Sequence, residues 1–460
     1  MTAYKDQFTQ LLKSGDAKNV VLALEMAKGN PALQALVKEY HAIYTALYGE
    51  IEEVLVDHIL ELNQAVQFAD NQDLRALPDR IGELNHLTEF YLARNQLQTL
   101  PASFGNLKQL CILALDNNVL ETLPQNIGQL VCLNNVSLSR NQLTTLPESI
   151  GDLQSLRTFD LRDNRLAQLP QGFTKLIGLN SLDLSFNAFE KFPAEVAQLN
   201  RLSELYMNNN QLTQVSSNLN NLKRLQTLFL SHNKLSTFPE TLLEMPQLRV
   251  IALDNNFIST LPSDIDKLGK LTGLLLSNNQ LQTLPDGLAN ARGLRSLTLE
   301  NNQLTQLPAF ITQLRLTGLH LSKNHLTELP EGLEQLQELL ILKISENEIR
   351  RGINAIWQLK TLRQLHMSGV GLIQLPEEIQ NLTQLLQLSL GKNNLQELPE
   401  AISALKKLEY LDLRENPIAK LPDTILELKN LRKIVLNHTK VSSKDIKRLK
   451  LSLPKCNVIH

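Results

Sequence analysis

The chain is poor in cysteine and in aromatic side chains. Its 460 residues include three cysteines, Cys111, Cys132 and Cys456, and only 5% Phe, Trp and Tyr. Three scattered cysteines cannot close both ends of an extracellular domain with disulfides, so we expect a reducing, cytoplasmic setting. The shortage of aromatics means that any core must be built mainly from aliphatic side chains.

An excess of one charge and a long apolar run are also missing. There are 45 Lys and Arg against 47 Asp and Glu, a formal net charge of −2. A protein that grips nucleic acid usually carries a basic excess or stripe, so we expect no nucleic-acid partner. No stretch approaches 18 uninterrupted apolar residues, and the N-terminus MTAYKDQFTQLLKSGD lacks an apolar segment. Neither a membrane span nor a signal peptide is therefore expected.

A repeat fills most of the chain. Its most regular marker is an asparagine, found at positions 71, 95, 118, 141, 164, 187, 210, 233, 256, 279, 302, 324, 347, 393 and 416. Val370 and Thr439 occupy the same slot in two further units, which makes 17 units. The step is 23 residues, except for 24 between Asn71 and Asn95 and 22 between Asn302 and Asn324. A period of this length predicts a stacked repeat architecture.

Each unit follows the pattern LxxLxLxxNxLxxLPxxIxxL. The L-x-L segment has a period of two, so its leucines face a core and the residue between them faces solvent. The asparagine amide offers two donors and an acceptor, which can pair with backbone groups that leave the strand ladder. Fourteen units then place a proline at the next corner, directly after a leucine or a phenylalanine. Proline excludes helical backbone before it, so we expect shallow convex turns in place of full α-helices.

The repeat pattern resembles that of a known family. The unit is similar to the 23-residue leucine-rich repeats of Scribble-like, plant Ras-group-related and bacterial cytosolic proteins, over roughly Asn63 to Thr439. The resemblance implies an α/β solenoid whose short strands stack into a curved parallel sheet of about 17 strands. It does not specify a partner, because the repeat defines a scaffold on which different proteins have built different binding sites.

Both ends of such a solenoid need a cover. Residues 1–62 predict a helical N-terminal cap, with Asp16 and Asn30 as helix N-caps, Pro31 at the first helical position and a last helix carrying Ile51 to Leu62. The alternative is a second binding site. Residues 63–439 form the 17 repeats, and residues 440–460 predict a helix from Ser442 or Ser443 followed by a short strand.

No constellation in the sequence predicts catalysis, a cofactor or a metal site. Asp160 and Asp183 hold the same outward position on adjacent strands, about 5 Å apart, but a broad open sheet offers no closed pocket to shift a pKa. His320 and His366 stand two units apart, about 10 Å, with Lys343 between them. This spacing favours a binding surface lined by His and Lys over a metal centre.

The predicted partner site is a cluster of apolar residues on the concave face. Residues six, four, two and one before each asparagine point outward, and most of them are small or polar. Units six to ten break this rule with Phe186, Tyr206, Phe229, Val250 and Leu275, and Tyr206 and Phe229 fall on neighbouring strands. Exposed apolar groups ringed by polar ones mark interfaces. The predicted polar rim is Asp160, Arg162, Asp183, His232 and Asp254. The alternative is lateral packing of these side chains on one another.

A second irregular region lies around Gly352, Trp357 and Val370. Here the Leu-Pro pair is missing, the only tryptophan follows, and valine replaces the asparagine. This combination predicts either a contact site on the convex side or a neutral defect.

These observations together predict a non-enzymatic, monomeric, cytoplasmic scaffold that binds a protein on its concave face. Two alternatives remain open at this point. The chain could be a targeting or regulatory subunit of a signalling or effector enzyme, although no segment outside the repeats is long enough for a catalytic domain. The same face could instead recognise a glycan.

Overall fold

The structure, a computed structural model, describes residues 2–460. It divides between Thr227 and Leu228 into two compact units, which are described separately below. No helix in the described part of the chain is both long and apolar enough to cross a membrane.

The first unit begins with four helices. They are α1 (Thr2–Leu12), α2 (Ala17–Ala27), α3 (Pro31–Tyr48) and α4 (Val56–Leu62). The predicted N-caps are confirmed, since Asp16 accepts a hydrogen bond from the N–H of Lys18 and Asn30 accepts from those of Ala32 and Leu33. The last helix is shorter than predicted: it starts at Val56, because residues 49–55 form a connection after Gly49.

These helices contact the first repeats directly. The Tyr48 hydroxyl donates to the Gln67 side chain on the first strand, and the Lys13 ammonium donates to the backbone oxygen of Glu83 at 2.8 Å. Asn63 donates to the backbone oxygens of Leu12 and Ser14, which ties the end of α1 to the start of the repeats. The helical segment therefore contacts the first strand and the turn that follows it, and its role as an end cap stays a prediction.

Seven short parallel strands follow in the first unit. They are β1 (Val66–Phe68), β2 (Glu89–Tyr91), β3 (Ile112–Ala114), β4 (Asn135–Ser137), β5 (Thr158–Asp160), β6 (Ser181–Asp183) and β7 (Glu204–Tyr206). Each pairs with the next in parallel, 23 residues apart in register. The middle residues of these strands are buried, as the period of two predicts. The division between the units falls within β8 (Thr227–Phe229).

The second unit continues the same pattern. Its strands are β9 (Val250–Ala252), β10 (Gly273–Leu275), β11 (Ser296–Thr298), β12 (Gly318–His320), β13 (Ile341–Lys343), β14 (Gln364–His366), β15 (Gln387–Ser389), β16 (Tyr410–Asp412), β17 (Lys433–Val435) and β18 (Asn457–Ile459). Helix α5 (Ser443–Ser452) precedes β18, and Ser442 caps it as predicted. In both units, the side chains of the first and third strand residues point away from the core. We call the surface that they form the open strand face.

The segments after the prolines form single 3₁₀ turns, which confirms the prediction of shallow structure on that side. Two examples are Glu148–Asp152 and Gln171–Lys175, each starting directly after its proline. Their isoleucine and phenylalanine side chains return to the core and are buried. The turns of successive repeats pack on one another, so that the core lies between them and the strands.

The asparagine ladder has the predicted geometry. The Asn302 amide nitrogen donates to the backbone oxygens of Leu276 at 2.9 Å and Leu299 at 3.1 Å, while its oxygen accepts from the N–H of Leu281 at 2.9 Å. The same pattern recurs at most repeats. Each asparagine thus satisfies backbone groups of two neighbouring repeats, which would otherwise be buried without partners.

The assignment of Asn71 to this ladder is wrong. Asn71 is exposed and has a φ of 56°, which is the conformation of the residue before the asparagine in later units. Gln72, 23 residues before Asn95, occupies the slot, and its N–H donates to the Asn95 side chain. The apparent step of 24 residues is therefore a regular step of 23 with glutamine in place of asparagine.

Candidate functional site

The ten residues predicted to bind a partner are divided equally between the two units. Asp160, Arg162, Asp183, Phe186 and Tyr206 belong to the first unit, and Phe229, His232, Val250, Asp254 and Leu275 to the second. All ten are at least partly exposed, which agrees with their outward assignment. The two groups are described in turn.

Phe186 has an unusual backbone conformation for its residue type. In most repeats the residue before the asparagine has a positive φ, and 17 described non-glycine residues have one. Among these 17, Phe186, with a φ of 56°, is the only apolar residue; the others are Asn, Asp, Arg, Lys, Glu or His. The left-handed region costs an ordinary L-residue about 1–2 kcal/mol. Phe186 is also 41% exposed, so a large part of its apolar surface remains in water.

Charged and aromatic groups surround Phe186. The Arg162 guanidinium lies over its ring, 4.8 Å from the centroid, a distance suited to a cation–π contact. Tyr206, at the end of β7, is half-buried, and its hydroxyl donates to the Glu204 carboxylate at 3.3 Å. The open strand face of the first unit thus presents an exposed ring with a cation on it, and a second aromatic side chain on β7.

Asp160 corrects one prediction from the sequence. Asp160 and Asp183 do pair in register on β5 and β6. The open sheet was expected to leave carboxyl pKa values unshifted, but burial raises the pKa of Asp160, and the neighbouring Asp183 and Asp116 carboxylates raise it further. The Arg162 N–H, which donates to Asp160 at 2.9 Å, opposes this rise. Half-burial between neighbouring side chains is sufficient to desolvate a group on an open sheet.

Five further polar residues of this part of the face were not predicted. Asp116 accepts hydrogen bonds from the hydroxyls of Ser137 and Ser139. Glu204 accepts from Ser181 at 3.1 Å as well as from Tyr206. All of these hold outward positions in the repeat, so the register could have identified them. Their polar character alone did not distinguish them from ordinary surface.

The group in the second unit is packed more closely. Val250 pairs in register with Gly273, and a Cβ atom at Gly273 would lie 3.6 Å from Val250 and 3.7 Å from Leu275. Asp254 accepts from the N–H of Ser277 at 2.8 Å and from the hydroxyls of Ser231 and Thr298 at 3.3 Å. His232 is exposed and has a φ of 56°. Lateral packing, the alternative interpretation, thus accounts for part of the Val250–Leu275 surface.

Within residues 2–460, no three His, Cys, Asp or Glu side chains stand close enough together to hold a metal ion. The aligned Asp160 and Asp183 carboxylates are half-exposed, and together with the neighbouring Asp116 they do not form such a group.

The irregular region around Trp357 contains a cavity of about 620 Å³ in the second unit, lined among others by Ile349, Arg350, Trp357 and Gly371. Trp357 itself is 1% exposed, and its indole N–H has no hydrogen-bond partner among the described residues. The tryptophan therefore fills the interior instead of offering a surface for contact. A contact site on this side stays a prediction, now carried by the exposed Ile373 and the cavity beside it.

Comparison with known families identifies the repeat independently. A model described as leucine-rich repeat region matches residues 126–245 and 376–454, one described as leucine rich repeat matches 246–304 and 315–372, and a third, of the same description, matches 86–107. No curated protein sequence matches the chain.

Several solved structures share the fold. A leucine-rich-repeat protein of Leptospira interrogans is 32% identical, with a TM-score of 0.73, over 87% of this chain and 97% of that one. The plant peptide hormone receptor RGFR1, solved in complex with RGF2, is 26% identical, with a TM-score of 0.62, over 88% of this chain and 75% of that one. YopM from Yersinia enterocolitica is 24% identical, with a TM-score of 0.60, over 88% of this chain and 87% of that one. At this level of identity the similarity shows only a common fold. With its repeats, ladder and solenoid architecture, the chain belongs to the leucine-rich-repeat family.

Proposed function

We propose that this protein is a non-enzymatic interaction module that binds a protein partner on its open strand face, the predicted concave face. The observation that carries the proposal is Phe186, an exposed apolar residue in a conformation that disfavours it. Strained residues that a fold does not need are found preferentially at functional positions. The proposed contact residues in the first unit are Phe186, Tyr206, Arg162, Asp160 and Asp183.

The chemistry of this group suits a protein interface. Aromatic and arginine side chains dominate the residues that contribute most to binding energy, and polar groups around them exclude water. Arg162 and Phe186 are already in contact, so little side-chain entropy is lost when a partner covers them. In the second unit we propose Phe229, His232, Val250, Asp254 and Leu275 as further contacts.

The family comparison agrees with this proposal at a coarser level. Leucine-rich-repeat solenoids present extended concave surfaces for binding. Among the similar structures, RGFR1 was solved with RGF2 bound. We further propose that the present protein acts as a cytoplasmic monomer and recognises protein in preference to glycan.

Affinity purification from the native lysate, followed by calorimetry with the purified partner, tests the proposal. Wild type, Phe186→Ala/Tyr206→Ala and Phe229→Ala would be compared. We expect the double variant to lose a protein that wild type retains, with affinity at least about tenfold weaker, or about 1.4 kcal/mol. Phe229→Ala should weaken the same interaction.

The matched control is Phe257→Ala. Phe257 is 52% exposed, but it follows the ladder asparagine and lies off the open strand face. This variant should bind like wild type. The proposal would be refuted if the double variant recovered the same proteins with the same affinity. It would also be refuted if wild type bound a glycan on an array and recovered no protein.

A further inference from the structure

Three basic side chains lie side by side on the open strand face of the second unit. His320, Lys343 and His366 are the third residues of β12, β13 and β14, and they pair directly in register. Neighbouring strands lie about 4.8 Å apart, so the row spans about 10 Å. All three side chains are half-buried, and the leucines before them are fully buried. We call these three residues the basic row.

The row holds several hydrogen-bond donors that the described residues leave unused. The His320 ring makes no hydrogen bond with any residue in the described part of the chain. His366 uses only Nδ1, which lies 3.0 Å from the Ser389 hydroxyl, and its Nε2 is left over. The Lys343 ammonium is 3.8 Å from the Glu300 carboxylate, too long for a good hydrogen bond.

A buried glycine lies beside the His320 ring. Gly318, two residues before His320, has no side chain where most other repeats have one, and a Cβ atom there would lie at ordinary contact distance from His320 Nε2 (3.9 Å) and from Ser296 Oγ (3.8 Å). Its neighbour in register, Ile341, is half-exposed. The Nε2 edge of the ring therefore lies near the Gly318 backbone, and a ligand group approaches the row from its exposed side.

Acidic groups lie beside the row and within it. Glu300 forms an ion pair of 3.8 Å with Lys343, the middle residue of the row, and Asp254 accepts hydrogen bonds from Thr298 and Ser277. On the β16 side the buried Asp412 pairs with Arg414 at 3.0 Å. Between these ends, His320, Lys343 and His366 face no carboxylate at hydrogen-bond distance among the residues described.

We propose that the basic row binds two carboxylates of an acidic segment of a partner protein, and that it takes up protons as it does so. Each gap in the row, His320 to Lys343 and Lys343 to His366, offers a pair of donors to one carboxylate. The centres of the two gaps are about 4.8 Å apart, and alternate side chains of an extended chain leave its backbone about 7 Å apart on one face. Two flexible acidic side chains separated by one residue can therefore converge on the two gaps.

The charges favour a short acidic peptide over nucleic acid. Only Lys343 carries a permanent positive charge in the row, where it is paired with Glu300, and Asp254 and Asp412 lie toward the two ends. A continuous phosphate backbone would meet all of these carboxylates, whereas a peptide with two acidic side chains has to replace only Glu300 at Lys343. Nucleic-acid binding also depends on several basic contacts, which this row does not supply.

Binding should strengthen as the pH falls. Burial, together with the neighbouring Lys343 and His366, lowers the pKa of His320 to about 4. Burial and Lys343 also lower the pKa of His366, against an opposing effect of Asp412. Both rings are therefore neutral at pH 7 in the free protein. A bound carboxylate favours the imidazolium and raises these pKa values. Affinity should then rise by up to about tenfold per pH unit for each proton taken up.

Calorimetry on the full chain tests the inference. The probe is a synthetic peptide in which four glutamates alternate with glycine, titrated at pH 5.5 to 8 and constant ionic strength. Repeating the titration in buffers of different ionisation enthalpy counts the protons taken up. We expect binding that tightens toward pH 5.5 with net proton uptake. In His320→Gln/His366→Gln we expect weaker binding with no uptake, and in Lys343→Met weaker binding at every pH.

Three arms separate this inference from other outcomes. A peptide with glutamine at every glutamate position should not bind, and this arm does not depend on a variant folding. The variant Phe186→Ala/Tyr206→Ala should bind the acidic peptide like wild type, because its changes lie in the first unit. If wild type does not bind the peptide, this inference is wrong and the proposed partner site of the first unit is not affected. Binding without proton uptake, unchanged uptake in the double histidine variant, or tighter binding of single-stranded oligothymidylate through the same residues would overturn the inference.

Discussion

Phe186 shows how a single residue can work against the fold that carries it. Its neighbours in the same repeat position are polar residues, several of them asparagine, which tolerates the left-handed region well. A phenylalanine there destabilises the folded state and exposes apolar surface to water. A partner that covers the ring removes the second effect, while the backbone cost stays.

The backbone at this position leads to a test by substitution. At φ 56°, glycine has no Cβ strain, so we expect Phe186→Gly to be more stable than Phe186→Ala by about 1 kcal/mol. At Thr158, an exposed residue of β5 without a positive φ, the order should be reversed, with alanine more stable by about 0.5–1 kcal/mol. Urea unfolding midpoints of the four variants measure both differences. If the glycine and alanine variants ranked in the same order of stability at both sites, the assigned backbone conformation of Phe186 would be contradicted.

The sequence predicted residue positions better than residue environments. The repeat register placed Asp160 beside Asp183 and Phe186 at the surface, because a period of two determines which side chains share a face. It did not predict that half-burial raises the pKa of Asp160, since desolvation depends on the volumes of neighbouring side chains. The contact of Arg162 with Phe186 was missed for a similar reason: a long side chain can reach in several directions.

Neighbouring 3₁₀ turns contact one another through their backbones. At Gly151 an added Cβ atom would overlap the carbonyl oxygen of Gly172 in the next turn, so the contact depends on hydrogen at that position. The spacing of the turns is therefore set by backbone contact and not by side chains alone. Glycines in the I-G pair after the proline, such as Gly151, are part of the packing.

Gly151→Ala should accordingly destabilise the protein by about 1–3 kcal/mol, the usual cost of forcing an added carbon into a packed site. Gly269→Ala is the control, because a Cβ atom at this exposed glycine meets nothing within 4 Å. We expect the control to change stability by less than about 0.5 kcal/mol. Chemical unfolding followed by circular dichroism compares them, and similar losses in both variants would show that the turn contact does not carry the effect.

Predictions of elements were most accurate where a strong local signal was present. Asp16, Asn30 and Ser442 cap helices as expected, because a side-chain acceptor before an apolar stripe has one favourable use. Helix α4 began later than predicted, since apolar spacing at Ile51 and Val54 fits a packed connection as well as a helix. Asn71 was misplaced because two asparagine-tolerant positions are adjacent in each repeat.

At the scale of the whole molecule, the cysteines report on accessibility. Cys132 is exposed, Cys111 is half-buried and Cys456 is buried, and all three are free thiols. Burial also raises the pKa of Cys456, which reduces its thiolate fraction. Alkylation should therefore proceed in the order Cys132, Cys111, Cys456, and a reducing agent should not change the unfolding midpoint. Mass spectrometry after timed iodoacetamide labelling measures the order, and Cys456 reacting as fast as Cys132 would contradict it.

One repeat shows where the chain can change length. Between Asn302 and Asn324 one residue is missing, and the loss is confined to the end of a 3₁₀ turn, where Leu314 has a ψ of 153° instead of the 44–69° of its counterparts. Strands β11 and β12 still pair residue for residue, Ser296 with Gly318. Insertions and deletions can therefore accumulate in the 3₁₀ turns during evolution, while the outward side chains of the strands keep their alignment. A protein engineer could use this turn to insert a tag or a second epitope.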